Sequence, residues 1–518
     1  MTGSDDSPWR RFPLFLAACG LSTGVACGGG VTLITHGFNG NVTDWVIPMG
    51  EVMMDHPGFD GDDISCYEME VTSGGGGLQV SMIHLGGPVW NAVESGEIVV
   101  KLDWSSRAGL FGSSASQVAS VAANALRDPT LLDSGNGRAL AELPLHLIGH
   151  SRGGSVVCEI ARYLGERGVW VDQVTALDPY PVSLFGDVPA RSWENVLYME
   201  SYWQDMDFPD GSDISGAYNR KLTSLSGGYS SAHSDTHLWY HGTIDLSTPA
   251  TDTQETIGVS QRTSWWTPAE NQGADTGFLY SRIGGGDRTS TAQPGGGSQI
   301  RDGLNQTYDF GVSGGGNREL LGSKTDVWPN LIIARRTTAG PLEAGSDLEV
   351  EMFYQDGASA LDPGLTVSLD PDRNPWNGNE ITLEAFTVPA AGAFAVLNEV
   401  RSADTTGVPV GSYAVLMTLS QGGRQRHFHA AEGVVITAAP MPMEIVAGTT
   451  GLVNGLFGFE VSGTPGTEVV VEASEDMSGW DAVASQTLGS ANWVFSDPDT
   501  ALYGRRFYRL AGPSVSPP

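Results

Sequence analysis

The 518-residue sequence predicts an α/β class: one α/β domain over 28–290, then two all-β, sandwich-like modules over 326–438 and 443–518. Three observations carry this expectation. In the first half, short apolar runs of buried-strand character alternate with apolar residues at helical spacing. One run, Leu145 to Ile148, passes through Gly149-His150-Ser151-Arg152-Gly153 straight into a helical pattern of Val156, Val157, Ile160, Ala161 and Leu164. Beyond Gly284-Gly285-Gly286 and Pro294-Gly295-Gly296-Gly297 the helical patterns stop, and 291–325 reads as a linker.

The elements follow in order. Residues 1–27 read as an export signal or lipoprotein leader: Trp9-Arg10-Arg11 precedes a charge-poor apolar stretch, and Leu16-Ala17-Ala18-Cys19 resembles a cleavage box that would anchor the chain by lipid at Cys19. Val31-Thr32-Leu33-Ile34-Thr35 reads as a buried strand running into His36-Gly37-Phe38-Asn39-Gly40. There Gly37 permits close approach, and the Phe38 N–H is placed to face a substrate oxygen. Residues 98–104 form another strand, whose Asp103 shapes its edge. Ser105 to Ser116 is either a lid carrying Leu110-Phe111 or an ordinary surface loop.

Gly149 to Gly153 has the layout of a nucleophile elbow. A serine hydroxyl attacks a carbonyl carbon only if it stands clear of the backbone, and glycines two before and two after Ser151 allow the sharp strand-to-helix turn this needs. Two other G-x-S-x-G matches, at Gly20 and Gly311, lack the strand-and-helix setting. Arg152 falls on the first helical turn, so its backbone N–H is a candidate oxyanion donor. Residues 171–177 form a third strand ending at Asp178-Pro179, which makes Asp178 the natural acid, with Asp205 or Asp207 after the next strand (195–202) as alternatives. His233, His237 and His241 then lie four apart on one helical face. That spacing also suits a metal, but no Glu follows the first His as in H-E-x-x-H, and a serine set needs no metal. His233, beside a plausible helix cap at Ser234, is the expected base, and His237 its rival.

Taken together, Thr35-His36-Gly37-Phe38, Leu102-Asp103-Trp104, Gly149 to Gly154, Ala176-Leu177-Asp178-Pro179 and Ala232-His233-Ser234-Asp235 resemble secreted lipases and esterases of the α/β-hydrolase superfamily. The resemblance spans about Val31 to His241. It implies Ser151 as nucleophile, His233 as general base, Asp178 as orienting acid, Phe38 and Arg152 as backbone oxyanion donors, and no cofactor. The expected function is therefore an exported serine hydrolase, secreted or held at the cell surface, that cleaves carboxylic esters of lipid or polymeric kind. An amidase or peptidase using the same triad is the enzymatic alternative. An inactive hydrolase-like protein that binds surfaces is the alternative from another class.

Composition narrows the partners. Sixty acidic against 27 basic residues give a formal charge of −33, and only Lys101, Lys221 and Lys324 are lysines. Such a surface repels nucleic acid and anionic membranes. Cys66 and Cys158 show no metal or disulfide spacing. The β-modules, separated by a break near Ala438 to Pro442, are expected to serve attachment, stability or substrate approach. In the first of them, Asp370 to Asn379 clusters oxygen ligands, but Pro375 stands where a calcium loop of the EF-hand type needs glycine, so a hairpin turn is the better reading.

Overall fold

The computed structural model describes residues 29–54, 64–89, 98–132, 137–244 apart from 224, 226, 227 and 230, then 265, 318–322, 328–357, 361–390, 396–430, 433–439 and 441–512. Two compact units result: 1–339, 348–403 and 412–434 form the first, and 340–347, 404–411 and 435–518 the second.

The first unit is built on β1 (Val31–Thr35), α1 (Val46–Met54), β2 (Ser65–Gly74), β3 (Gly77–Gly86), β4 (Ile98–Asp103), α2 (Ala115–Leu126), β5 (Leu145–His150), α3 (Arg152–Glu166), β6 (Val171–Leu177), β7 (Val196–Trp203), β8 (Tyr218–Lys221) and α4 (Ala232–Gly242). The strands form one mixed sheet in the order β3-β2-β4-β1-β5-β6-β7-β8. All pairs are parallel except the β2–β3 hairpin at its edge. Successive strand residues serve opposite faces: Leu33, Val100 and Leu147 join one core with Val118 of α2 and Ile160 of α3, while Ile34, Val99 and Ile148 join another with Met49 of α1 and Leu238 of α4. This two-sided burial explains why the strands read as continuous apolar runs.

The expected α/β class, with its α/β-hydrolase domain, is corrected by the content observed. Among the described residues there are 24 strands against four α-helices, or 42% strand against 16% helix, so the protein is mostly β. Four helices are too few for the predicted architecture. The helical spacing read after the elbow is present in α3, and α1 and α2 follow β1 and β4, but the crossovers from β6 to β7 and from β7 to β8 carry no α-helix. Between β6 and β7 the chain carries Pro179, Pro181, Gly186 and Pro189, and between β7 and β8 it carries Pro209, Gly211 and Gly216. Proline and glycine deny those crossovers a helix, leaving loops and one short 3₁₀ turn at Ser183–Phe185.

The remaining strands are β9 (Asn330–Arg336), β10 (Leu342–Glu343), β11 (Asp347–Gln355), β12 (Gly364–Asp370), β13 (Ile381–Thr387), β14 (Val396–Asp404), β15 (Gly411–Gln421), β16 (Arg424–His429) and β17 (Val434–Thr437). Within the first unit, β14-β11-β9 form one sheet, and β13, β12, β15 and β16 pair in that order in another. Residues 370–379 connect β12 to β13 as a turn tied by its own side chains: Asp370 Oδ1 accepts from the N–H groups of Asp372 and Arg373, and Asp372 Oδ2 from the Asn377 and Asn379 amides. Both sheets lie in the same unit as β1–β8. Fully buried Arg426 of β16 donates to the carbonyls of Ala141 and Trp170 and to Asp172 at 2.7, 3.1 and 2.8 Å. Asn330 of β9 accepts from the Trp170 N–H at 3.0 Å.

In the second unit β10 pairs with β17, and β18 (Glu444–Ile445), β19 (Gly451–Val453), β20 (Leu456–Ser462), β21 (Glu468–Ser474), β22 (Asp481–Thr487), β23 (Trp493–Asp497) and β24 (Phe507–Ala511) form two small sheets. Phe459, Val461, Val469, Val471, Leu488 and Phe495 make their core.

Candidate active site

Ser151 occupies the turn between β5 and α3 with φ 56° and ψ −123°. A positive φ costs a non-glycine residue about 1–3 kcal/mol, so it persists only where neighbours over-determine it. Here the Ser151 N–H donates to the Leu177 carbonyl at 2.9 Å, and its own carbonyl accepts from Gly154 and Tyr180 N–H groups at 3.0 and 3.1 Å. The two flanking glycines of the motif are a matter of space. A Cβ on Gly149 would come within 2.2 Å of the Gly153 carbonyl oxygen.

The loop after β1 reaches the same point. A Cβ on Gly37 would stand 2.7 Å from Ser151 Cβ and 3.2 Å from its Oγ, so only glycine lets 36–40 lie against the serine. Phe38 is the next residue of that loop and is half-buried. His36, buried behind it, places Nδ1 3.0 Å from the Gly37 carbonyl and stacks on Trp104 at 5.3 Å. It therefore supports the loop, and Asp103 shapes the strand edge by accepting from the Ser105 N–H at 2.7 Å.

Asp178 follows β6 and is fully buried. Four donors surround its carboxylate: Gln204 N–H and Gly211 N–H at Oδ1, both at 3.0 Å, and Gln204 Nε2 at 2.9 Å and His233 Nδ1 at 2.6 Å at Oδ2. Its alternatives are engaged elsewhere, since Asp205 pairs with Lys221 at 2.5 Å and Asp207 accepts from the Ala232 N–H at 2.9 Å. His233 lies in the first turn of α4, not in a loop before it. The cap is Ser231, whose side chain accepts from the His233 N–H at 3.2 Å. Its rival His237 is one turn deeper, stacked on Trp45 at 4.6 Å, and His241 is fully buried. Of the three histidines on α4, it is His233 that meets the carboxylate.

His150, immediately before Ser151, completes a group of imidazoles. Its Nε2 lies 2.8 Å from the His233 carbonyl, and its ring is 4.5 Å from that of His233 and 4.8 Å from that of His237. Burial, and then the proximity of His233, hold the His150 pKa well below the usual imidazole range. His237 is depressed in the same direction by burial and by the neighbouring histidines.

Arg152 contributes more than a backbone N–H. Its buried guanidinium grips Asp187 through Nε at 2.5 Å and Nη2 at 3.0 Å, and donates to the carbonyls of Ala108 and Ser113 at 3.1 and 2.7 Å. The elbow helix thereby fastens the loop after β4 and the loop after β6 together. Sequence reading missed Gln204, His150 and Asp187 in these roles. His150 carried a signal, being inside the pentapeptide. Gln204 and Asp187 carried none, because an amide or carboxylate in a loop has no diagnostic spacing.

No family model matches the chain, and no curated protein sequence matches it. Among solved structures, the C-terminal domain of Wzt aligns at 12% identity over 21% of this chain and 74% of its own, with a TM-score of 0.16. A fragment of the ICAM-5 ectodomain, domains D1–D4, aligns at 15% identity over 37% of this chain and 48% of its own, with a TM-score of 0.18. Superpositions this slight assign neither fold nor function.

Proposed function

We propose that this chain is a serine hydrolase of carboxylic esters, in keeping with its resemblance to secreted lipases and esterases. The observation that carries the reading is the buried 2.6 Å bond between His233 Nδ1 and Asp178, together with Ser151 on a strained elbow next to His150, which lies 2.8 Å from the His233 carbonyl. Asp178 fixes the tautomer that leaves His233 Nε2 free to take the Ser151 proton as the hydroxyl attacks. The tetrahedral oxyanion then forms against the Phe38 and Arg152 backbone N–H groups. His233 returns its proton to the departing alkoxide, and water repeats the cycle to release the acid. No cofactor is part of this scheme.

Apolar side chains on the loops that share this edge of the sheet support an apolar acyl or polymeric ester as substrate. Phe111 is 97% and Leu184 82% exposed, and Leu110 and Phe208 also face solvent. The leader-like residues 1–27 and Cys19 lie outside the described residues; they support placing the enzyme outside the cytoplasm, secreted or at the surface. The β-strands of the second unit are proposed to assist contact with an insoluble substrate or surface.

Labelling with a fluorophosphonate probe and mapping of the modified peptide tests the reading without knowledge of the substrate. Modification of Ser151 is expected. An unlabelled protein, or label on another serine, would remove this mechanism and favour a surface-binding role. Parallel turnover of nitrophenyl esters and anilides separates the esterase from an amidase.

A further inference from the structure

We propose that His150 is a positioning residue for the catalytic base: a neutral imidazole that holds the first turn of α4 by its backbone, so that His233 stands correctly between Ser151 and Asp178. The inference rests on the Ser151–His233–Asp178 reading above. His150 is the last residue of β5 and is covalently joined to the nucleophile, so whatever it grips is referenced directly to Ser151. What it grips is the carbonyl of His233 itself, at 2.8 Å. A carbonyl only accepts, so the proton must reside on His150 Nε2.

The surroundings explain why the residue is an imidazole. From α4 it meets the rings of His233 and His237; from the segment entering α1 it meets the edge of Trp45, 5.9 Å away at 84°. From β6 its strand partner is Leu177, and the Asp178 carboxylate is taken up by four donors. None of these groups gives a protonated His150 a carboxylate partner of its own, and burial disfavours the charge. When His233 receives the Ser151 proton it becomes the cation of this group, balanced by Asp178. A second cation with its ring 4.5 Å away would oppose that transfer. His150 thus supplies a donor while adding no charge, a combination neither lysine nor arginine could provide.

Glutamine reproduces the reach of Nε2–H, whereas leucine keeps the bulk and removes the donor. In nitrophenyl ester hydrolysis, His150→Leu is expected to lower kcat by about 10²-fold with KM changed less than about twofold, and His150→Gln to recover most of the loss. Equal losses in both variants would overturn the proposal and leave a packing role. In the full-length wild type, ¹⁵N-histidine spectra are expected to show His150 protonated at Nε2 and not titrating between about pH 5 and about pH 8. Titration in that range, or the Nδ1–H tautomer, would also overturn it, whether or not the leucine variant folds. Failure of fluorophosphonate to label wild-type Ser151 would instead strike the underlying mechanism.

Discussion

At the residue scale, the proposed mechanism separates groups that react from groups that hold them. Ser151→Ala should reduce ester turnover by at least about 10³-fold while leaving the melting temperature within a few degrees, measured by steady-state kinetics and calorimetry. Gln204 offers a sharper test of the holding groups. Its side chain joins Asp178 to the carbonyls of Asp207 and Pro209 and accepts from the Met206 and Asp207 N–H groups. Gln204→Ala should therefore lower kcat by roughly 10- to 100-fold with little change in KM, because it loosens the acid without touching substrate. Loss confined to KM would show that this loop binds substrate. Ser151, Asp178 and His233 were marked as candidates in the sequence by residue type, neighbouring strand and chain order, and the structure joins His233 to Asp178. The four-donor cradle was not, because two of its donors are backbone N–H groups whose direction depends on the loop path.

At the element scale, the seam around β16 is the most informative. Arg426 satisfies two carbonyls and Asp172 inside it, and Arg426→Ala should cost about 3–5 kcal/mol in denaturant unfolding by leaving these buried groups without their donor. Composition placed a border near Gly284 to Gly297 and a linker over 291–325. Yet β9, β11 and β16 supply Asn330, Gln355 and Arg426 to the Trp170 segment. Pairings between residues more than 150 positions apart leave no local trace in a sequence. The same seam holds Glu142, whose carboxyl is pushed up to about 7 by burial, with Arg138 opposing. Its Oε2 lacks a hydrogen bond, 3.8 Å from both Arg138 and His427. As pH rises from 4.5 to about 7, the unfolded chain loses this proton first, so folding stability falls through that window. Glu142→Gln should flatten that decline and raise stability above pH 7 by up to about 2–3 kcal/mol in pH-dependent urea titrations.

For the whole molecule, fold class was the least legible property. The alternation of strand-like and helical runs in the first half suggested an α/β class, but proline and glycine in 178–195 and 204–217 made loops of two crossovers, and strands prevail through the second half. Charge, in contrast, is read directly. With −33 formal charges the folded state repels itself, and raising KCl from ~0.1 M to ~1 M should increase the melting temperature measured by scanning calorimetry. A fall on adding salt would mean that specific ion pairs outweigh the net repulsion.

The Arg152–Asp187 clamp sets how this protein can diversify. Because Arg152 directly follows Ser151 and fastens two neighbouring loops, the exposed Leu110, Phe111 and Leu184 on them are free to change without moving the elbow. Under the proposed hydrolase mechanism, selection, or a library restricted to those three positions, can therefore retune which acyl groups are admitted while Ser151, His233 and Asp178 stay in place. Asp187 itself is closed to such exploration, since one substitution there would unfasten both loops at once.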